Sequence, residues 1–331
     1  MQHTRLMLAD IYQAAFRIRG TVQRTPLLKS NWLTRFTGRE IFLKLECLQT
    51  TGSFKLRGAT NKILSLNEDE KKRGVIAVSS GNHGRAVAYV AQKHALPAVI
   101  CVPETVPSNK IDAIQDLGAE VLVTGKTYDQ ATEGALRIHK DRGLTLVHPF
   151  DDPFVIAGQG TIGLELMEQL PGIDTVIVPL SGGGLLGGIA LTLKSIQPAI
   201  QTIGVSMNKG AAMIDSLEAG KVVEIVEEPS LADALLGGLG GENRYTFMIN
   251  QEFVDRTIRV SENEIAMGMT FAIEKEHLVV EGGGAVGIAA LLAGKVRELG
   301  EKVVVVVSGG NVKLSTLIEV TKDLYPYQTA K

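Results

Sequence analysis

Four short segments of this chain combine residue types able to do chemistry with the glycines that let backbone approach a ligand. They are Thr51-Gly-Ser-Phe-Lys-Leu-Arg-Gly-Ala59, Ser79-Ser-Gly-Asn-His-Gly84, Ser181-Gly-Gly-Gly-Leu185 and Ser308-Gly-Gly-Asn311. Ser181–Leu185 follows the apolar run Asp174–Leu180 and precedes the helical pattern LLGGIALTLKSI. A glycine turn there offers backbone N–H groups and the positive end of a helix, which hold a phosphate without a cationic side chain. It lacks the Gly-Lys-Ser/Thr ending of a Walker A loop, and a plain tight turn explains it as well. Gly158-Gln-Gly-Thr-Ile-Gly163 spells a dinucleotide fingerprint, but the preceding DDPFVIA makes a poor buried strand. Nor does an acid for the ribose end the strand about 20 residues later. Close helix packing is the better reading there, as it is for Gly282–Gly284 after Glu281. Gly237–Gly241 is either a loop that approaches a ligand or a mobile connection.

A lone lysine is ordinarily a solvated surface group. In the company and order of these four segments, Lys55 is not. Together they resemble the fold-type II pyridoxal-phosphate family of serine and threonine dehydratases and serine racemases, from about Thr25 to Asn311. The resemblance implies pyridoxal 5'-phosphate as cofactor and a role for each matching residue. Lys55 holds the cofactor as a Schiff base and serves as general base. Phe54 packs on the pyridine ring, Asn82 bonds the ring hydroxyl, and Ser308 meets the ring nitrogen. The backbone of Gly182, Gly183, Gly184 and Leu185 holds the phosphate. Ser79, Ser80 and the Gly81-Asn82-His83 turn bind the substrate carboxylate, with His83 ordering the turn. Ser80 also matches the second base of the racemases.

The implied reaction is α,β-elimination of water from a β-hydroxy amino acid of the threonine or serine type, giving a 2-keto acid and ammonia. The cofactor is the electron sink and the protein supplies orientation. A neutral Lys55 amine requires a lowered pKa, which burial supplies. A serine beside the ring nitrogen, in place of a carboxylate, favours prompt loss of the β-group over transamination. Departures from the family bear on the finer assignment. The racemase metal carboxylates fall at Ser206 and Ala212, so no metal is expected, and an arginine of the racemases falls at Ala131. Arg244, in the loop Gly240-Gly-Glu-Asn-Arg-Tyr245, is then the candidate cation for a larger substrate, against a plain surface pairing with Glu242. Val205–Ala212, Gly237–Arg244 and Val280–Ala285 resemble the hydroxyectoine-utilisation dehydratases. That branch and an amino-acid racemase stay open. So, in other classes, do a nicotinamide oxidoreductase and a noncatalytic cofactor-binding protein.

The elements that position these segments are short β-branched runs alternating with helical patterns. Strands are expected at Gly74–Val78, Ala98–Val102, Glu120–Thr124, Leu144–His148, Asp174–Leu180, Thr202–Ser206, Arg256–Val260 and Lys302–Val307. Helices are expected at Gly84–His94, Ser108–Leu117, Tyr128–Arg142, Gly160–Gln169, Gly183–Ile196, Ser261–Glu276 and Gly284–Leu299. Ile11, Ala14, Ala15 and Ile18 mark a docking helix before them. Such alternation means an α/β fold with two open, twisted, parallel-rich sheets flanked by helices. The polar stretch Asn67–Arg73 and the segment His148–Pro153 read as boundaries. They divide the chain into a discontinuous large domain, 1–68 and 151–331, and an inserted small domain, 69–150.

The 331 residues are 45% hydrophobic, enough for a substantial core, and 34 basic against 36 acidic residues leave a formal charge of -2. That balance favours neither nucleic acid nor an anionic membrane. No apolar run reaches the roughly 18–20 residues of a membrane span. There is no secretory h-region, and Asp10 argues against a transit peptide. Cys47 and Cys101 cannot make a disulfide framework or a thiolate zinc cluster. The expected partner is a small amino-acid substrate, the expected assembly a homodimer or homo-oligomer, and the expected setting a reducing cytoplasm.

Overall fold

The computed structural model describes residues 5–106, 108–240 and 242–322. Its strands are β1 Leu27–Lys29, β2 Glu40–Leu45, β3 Val75–Val78, β4 Ala98–Val102, β5 Glu120–Val123, β6 Thr145–Leu146, β7 Thr175–Pro179, β8 Gln201–Met207, β9 Arg256–Val260 and β10 Lys302–Val307. They form a sheet in the order β1-β2-β10-β7-β8-β9 and a second in the order β5-β4-β3-β6. β1 runs antiparallel to β2; every other pairing is parallel. The α/β class with parallel-rich sheets is therefore as the alternation implied.

The helices are α1 Leu8–Arg17, α2 Asn31–Thr37, α3 Lys55–Leu64, α4 Glu68–Arg73, α5 Asn82–Lys93, α6 Ser108–Gln115, α7 Tyr128–Arg142, α8 Pro153–Gln169, α9 Gly184–Ile196, α10 Ala212–Ala219, α11 Thr246–Phe253, α12 Glu262–Glu276, α13 Gly282–Leu292 and α14 Leu314–Lys322. All eight expected strands and seven expected helices are found; β4, β9, β10 and α7 have the expected ends, and the ends of the others are shifted. The stretch Asn67–Arg73 is a short helix rather than a bare boundary. Asn67 accepts from the Asp69 and Glu70 N–H groups while Glu70 accepts from the Asn67 N–H, a capping box that such a polar sequence is suited to form. α8 begins at Pro153, seven residues ahead of the expected Gly160, because Asp152 caps it and proline is tolerated at a first turn.

The core lies on both faces of each sheet. In β10 the alternate residues Val303, Val305 and Val307 pack toward α12 and α13, while Val304 and Val306 pack toward α8 and α9. All five valines are fully buried, each contributing on the order of 1.5–3 kcal/mol. In the smaller sheet Val75, Ala77, Ile100 and Val102 face α3 and α5, and Ile76, Val99 and Cys101 face α7.

β2 has a physical reason to escape a hydrophobic pattern. Its Lys44 and the following Glu46 are fully buried, as is Arg57 of α3. Arg57 donates from Nε and Nη2 to Glu46 at 2.8 Å each and from Nη1 to Glu165 at 2.6 Å. Lys44 Nζ donates to Glu165 at 2.5 Å. This closed set of charges ties β2, α3 and α8 together.

Candidate active site

The carboxyl ends of β3, β6, β7 and β10 open on one cavity of about 800 Å³, the place where open parallel sheets bind ligands. Each of the four glycine-containing segments sends residues to its wall, among them Lys55, Ser80, Gly183 and Ser308. The fingerprint at Gly158–Gly163 lies inside α8 instead. A Cβ on Gly158 would sit 2.7 Å from Arg57 O and one on Gly163 2.7 Å from Thr192 Cβ. These glycines serve close helix packing, and no strand-to-helix turn exists there for a dinucleotide.

Lys55 opens α3, and its Nζ donates to Pro149 O at 2.7 Å. Removal from water lowers its ammonium to about 8, opposed by the charge of Glu281. Phe54 lies beside it, with the amine 5.2 Å from the ring centroid. The approach to α3 is fastened to the end of β10. Phe54 N donates to Ser308 O at 3.0 Å and Gly310 N to Gly52 O at 2.9 Å. Gly52 requires its φ of +76°, and a Cβ there would meet Asn311 Oδ1 at 2.5 Å. Ser308 itself is buried on the wall.

Across the cavity, Gly182, Gly183, Gly184 and Leu185 form the turn into α9. Gly183 has φ +84°, and a Cβ on Gly182 would lie 2.3 Å from the Phe150 ring. The first N–H groups of a helix have no partners within it, so this turn presents donors and a positive dipole end to the cavity. Asn250 Nδ2 steadies it from behind, donating to Gly183 O at 2.9 Å.

Ser79, Ser80 and Gly81 carry β3 into α5, which starts at Asn82. Gly81 N donates to Ser79 Oγ at 3.1 Å. His83 is buried and its Nε2 donates to Val147 O at 2.8 Å. Burial, with the charge of Lys55, pushes its pKa down to about 3. It is a neutral imidazole that joins the turn to the residue after β6.

Asn82 belongs to a network that sequence reasoning missed. Its Nδ2 donates to Glu281 Oε1 at 2.7 Å, and its Oδ1 accepts from Asn311 Nδ2 at 2.7 Å. Asn311 N donates to Glu281 Oε2 at 3.2 Å, and Arg85 Nη1 donates to Asn311 Oδ1 at 2.9 Å. Glu281 is 4% exposed. Burial raises its pKa to about 7, against the lowering effect of the Asn82 hydrogen bond. The acid directly before a glycine run was the available signal.

His148 was missed as well, because HPFDDP read as a boundary. Its Nδ1 accepts from Asp151 N at 2.7 Å, and its ring meets Phe150 edge-on at 4.7 Å. Asp151 in turn accepts from the N–H groups of Arg244, Tyr245 and Thr246 at 2.7, 2.9 and 2.8 Å. The segment thus shapes the wall. The structure does not bring Arg244 to that wall. Its side chain is 57% exposed and paired with Glu242 at 2.5 Å, because the adjoining backbone is turned toward Asp151. At the racemase metal positions, Ser206 Oγ donates to Met207 Sδ at 3.6 Å and Ala212 is buried at the head of α10. Among the described residues no three His, Cys, Asp or Glu side chains are grouped to hold a metal.

The model of the pyridoxal-phosphate dependent enzyme family matches residues 18–309. A putative threonine dehydratase of Sinorhizobium fredii is 48% identical over 315 residues, 95% of this chain and 95% of the relative. An L-threonine ammonia-lyase of Thermotoga maritima is 45% identical, over 94% of this chain and 77% of its own length. Among solved structures, maize serine racemase superposes with a TM-score of 0.91 at 34% identity, over 97% of this chain and 98% of that one.

Proposed function

The chain belongs to the pyridoxal-phosphate dependent enzyme family, and from that premise we propose that it is a dehydratase, or ammonia-lyase, of threonine or serine. The observation that carries the reading is one cavity with a half-buried lysine amine near pKa 8 on one wall and a glycine turn at a helix start on another. The residues fit the cofactor. Lys55 is a nucleophile with a depressed pKa. Gly182–Leu185 offer backbone donors and no side chain beyond Leu185, and Ser308 and Asn82 lie on the wall between.

When bound, pyridoxal phosphate supplies the carbonyl that captures an amino group and the ring that makes a neighbouring C–H acidic. Everything else falls to this chain. The N–H groups of Gly182–Leu185 would hold the phosphate. The hydroxyls of Ser79 and Ser80 and the N–H groups at the start of α5 receive the substrate carboxylate. A carboxylate held there would leave the Cα–H within reach of Lys55 on the same cavity. With a pKa near 8, part of the Lys55 population is neutral at pH 7 and accepts that proton at Nζ. Ser308, buried on the cavity wall, would be an uncharged partner for the ring nitrogen, a setting that would favour prompt loss of the β-hydroxyl. The names of the Sinorhizobium and Thermotoga relatives support threonine as the substrate.

A racemase is the second reading, favoured by the likeness to maize serine racemase and by Ser80 on the cavity wall. The same proposal divides the chain into a large cofactor-binding domain, 1–68 and 151–331, and a small one, 69–150, which holds all of the sheet β5-β4-β3-β6. It also includes a homo-oligomer, supported by the exposed Tyr12, Phe16, Trp32 and Phe36 and checked by sedimentation. A reducing cytoplasmic setting is supported by two buried, unpaired cysteines.

The test is release of ammonia and 2-keto acid from threonine, serine, 3-hydroxyaspartate and hydroxyectoine-derived acids, with chiral analysis of the residual substrate. Threonine or serine is expected to lead. Cofactor-loaded protein that releases no keto acid from either one sinks the proposal, and inversion without ammonia selects the racemase.

A further inference from the structure

The peptide unit between Gly183 and Gly184 faces two ways. Its carbonyl is the first acceptor of α9, taking the Gly187 N–H at 2.8 Å. Asn250 Nδ2 donates to the same oxygen at 2.9 Å. Among the described residues no peptide bond is cis, so the Gly184 N–H points the opposite way from that carbonyl. It points out of the helix start, and Gly184 lines the cavity.

Asn250 is fully buried on α11. Its Nδ2 makes a second hydrogen bond, to Thr246 O at 2.7 Å, while its Oδ1 has no partner among the described residues. Turning the amide over would set that oxygen against two carbonyl oxygens, so only the donor end fits there. A buried acceptor left without a partner is costly, and a leucine would fill the space without that cost. The donors of Asn250, and not its bulk, therefore account for it. Its place is set by the cavity wall itself. Asp151 accepts from the N–H groups of Tyr245 and Thr246 at the start of α11. The O of the adjoining Phe150 lies 2.9 Å from where Gly184 would carry a Cβ.

We propose that Asn250 is a positioning residue for the cofactor phosphate and acts through this one peptide unit. The inference rests on the reading of Gly182–Leu185 as the phosphate turn. Gly183, with φ +84°, is the point where the backbone is freest to rotate. Two donors on Gly183 O occupy both of its lone pairs and hold the peptide plane still. A peptide whose carbonyl accepts hydrogen bonds is also polarised, which makes its N–H a stronger donor. Asn250 thus aims and strengthens the Gly184 N–H from behind, without touching the ligand.

The experiment compares two ligands that differ only in the phosphate. The full chain is equilibrated by dialysis with pyridoxal phosphate or with pyridoxal, and the bound fraction is read from imine absorbance. Asn250→Leu is expected to weaken binding of pyridoxal phosphate about tenfold, the worth of one hydrogen bond to a charged group. Binding of pyridoxal is expected to stay as it was, so the preference for the phosphorylated ligand falls by the same factor. A residue that merely supports the fold weakens both ligands alike, and an unchanged preference overturns the proposal. Asn250→Ala is read in the same way should leucine prevent folding. If the unsubstituted chain binds both ligands equally, the reading of the phosphate turn falls together with the proposal. A strong preference in the unsubstituted chain that the variants retain removes Asn250 alone.

Discussion

Lys55 owes its chemistry to surroundings that lie far from it in sequence. Its amine donates a hydrogen bond to Pro149 O, burial depresses its pKa and Glu281 opposes that depression. Lys55→Ala should therefore abolish both the imine absorbance and ammonia release while the circular dichroism spectrum stays unchanged. Normal ammonia release by the folded variant would remove Lys55 from the reaction. Glu281 yields a second expectation with a definite sign. Its pKa is raised from 4.5 to about 7 in the fold, so between those values the folded protein holds the proton more firmly than the unfolded chain. The stability gained from the protonated acid is full below about 4 and is lost as pH rises toward 7, by roughly 3 kcal/mol at 1.36 kcal/mol per unit. Glu281→Gln keeps an oxygen for Asn82 and cannot ionise. In cofactor-free protein, the stability of Glu281→Gln relative to the unsubstituted chain should climb through that window. A pH-independent difference in urea midpoint would show that Glu281 titrates normally. The residues at the former metal positions give a third expectation: chelator leaves kcat unchanged, since Ser206 and Ala212 carry no charge to hold a divalent ion. A loss of activity restored by magnesium or calcium would contradict it. At this scale the sequence showed Lys55, Asn82, Ser308 and the glycine turn because motif order carries them. It hid Glu281 and His148, whose importance lies in contacts that only the folded chain makes.

At the scale of elements, legibility followed burial on one face or two. β10 and β7 stand out as unbroken apolar runs because both of their faces are covered. β2 and α3 do not, because their buried faces carry Lys44 and Arg57. Ser261 and Glu264 form a capping box at the start of α12, where a helix was expected. The box at Asn67 and Glu70 was equally written in the sequence, but its charged surroundings disguised a helix as a boundary. The Arg57 cluster has an energetic consequence that tests its role in fixing the start of α3. Arg57→Met leaves the Glu46 carboxylate buried without its partner, and removing one member of a buried pair costs about 3–5 kcal/mol. Adding Glu46→Met to the same protein should restore much of that loss, because apolar replacements of matched volume are often neutral or better. Urea denaturation of the single and double variants measures both effects. A single variant as stable as the original chain would mean the cluster contributes nothing to holding α3.

At the scale of the whole molecule, the cavity is assembled from ends that converge and not from any continuous unit. The α5 start comes from the smaller sheet, and the α9 start and β10 end come from the larger one. The Lys110–Asp233 ion pair, at 3.9 Å and partly exposed, is a weak tie across the opening. A cofactor held by Lys55, Asn82, Ser308 and the Gly182–Leu185 turn would join those ends through one ligand. Binding to the folded state alone stabilises it by about 4 kcal/mol when ligand stands at 1,000 times its Kd. Stripping the cofactor should lower Tm, and the loss should be unevenly distributed. Amide hydrogen exchange should accelerate at residues 79–85 and 181–186, whose N–H groups face the cavity or begin helices. The amides of Val303–Val307 should keep their protection, since they are paired to β2 and β7 and buried on both faces. Equal acceleration across β10 would mean that the cofactor supports the larger sheet itself and does not merely join two sheets already formed. No change at either turn would mean that both are ordered before the ligand arrives, and that the cavity is preformed by the Glu281–Asn82–Asn311 network and the Asn250 brace alone.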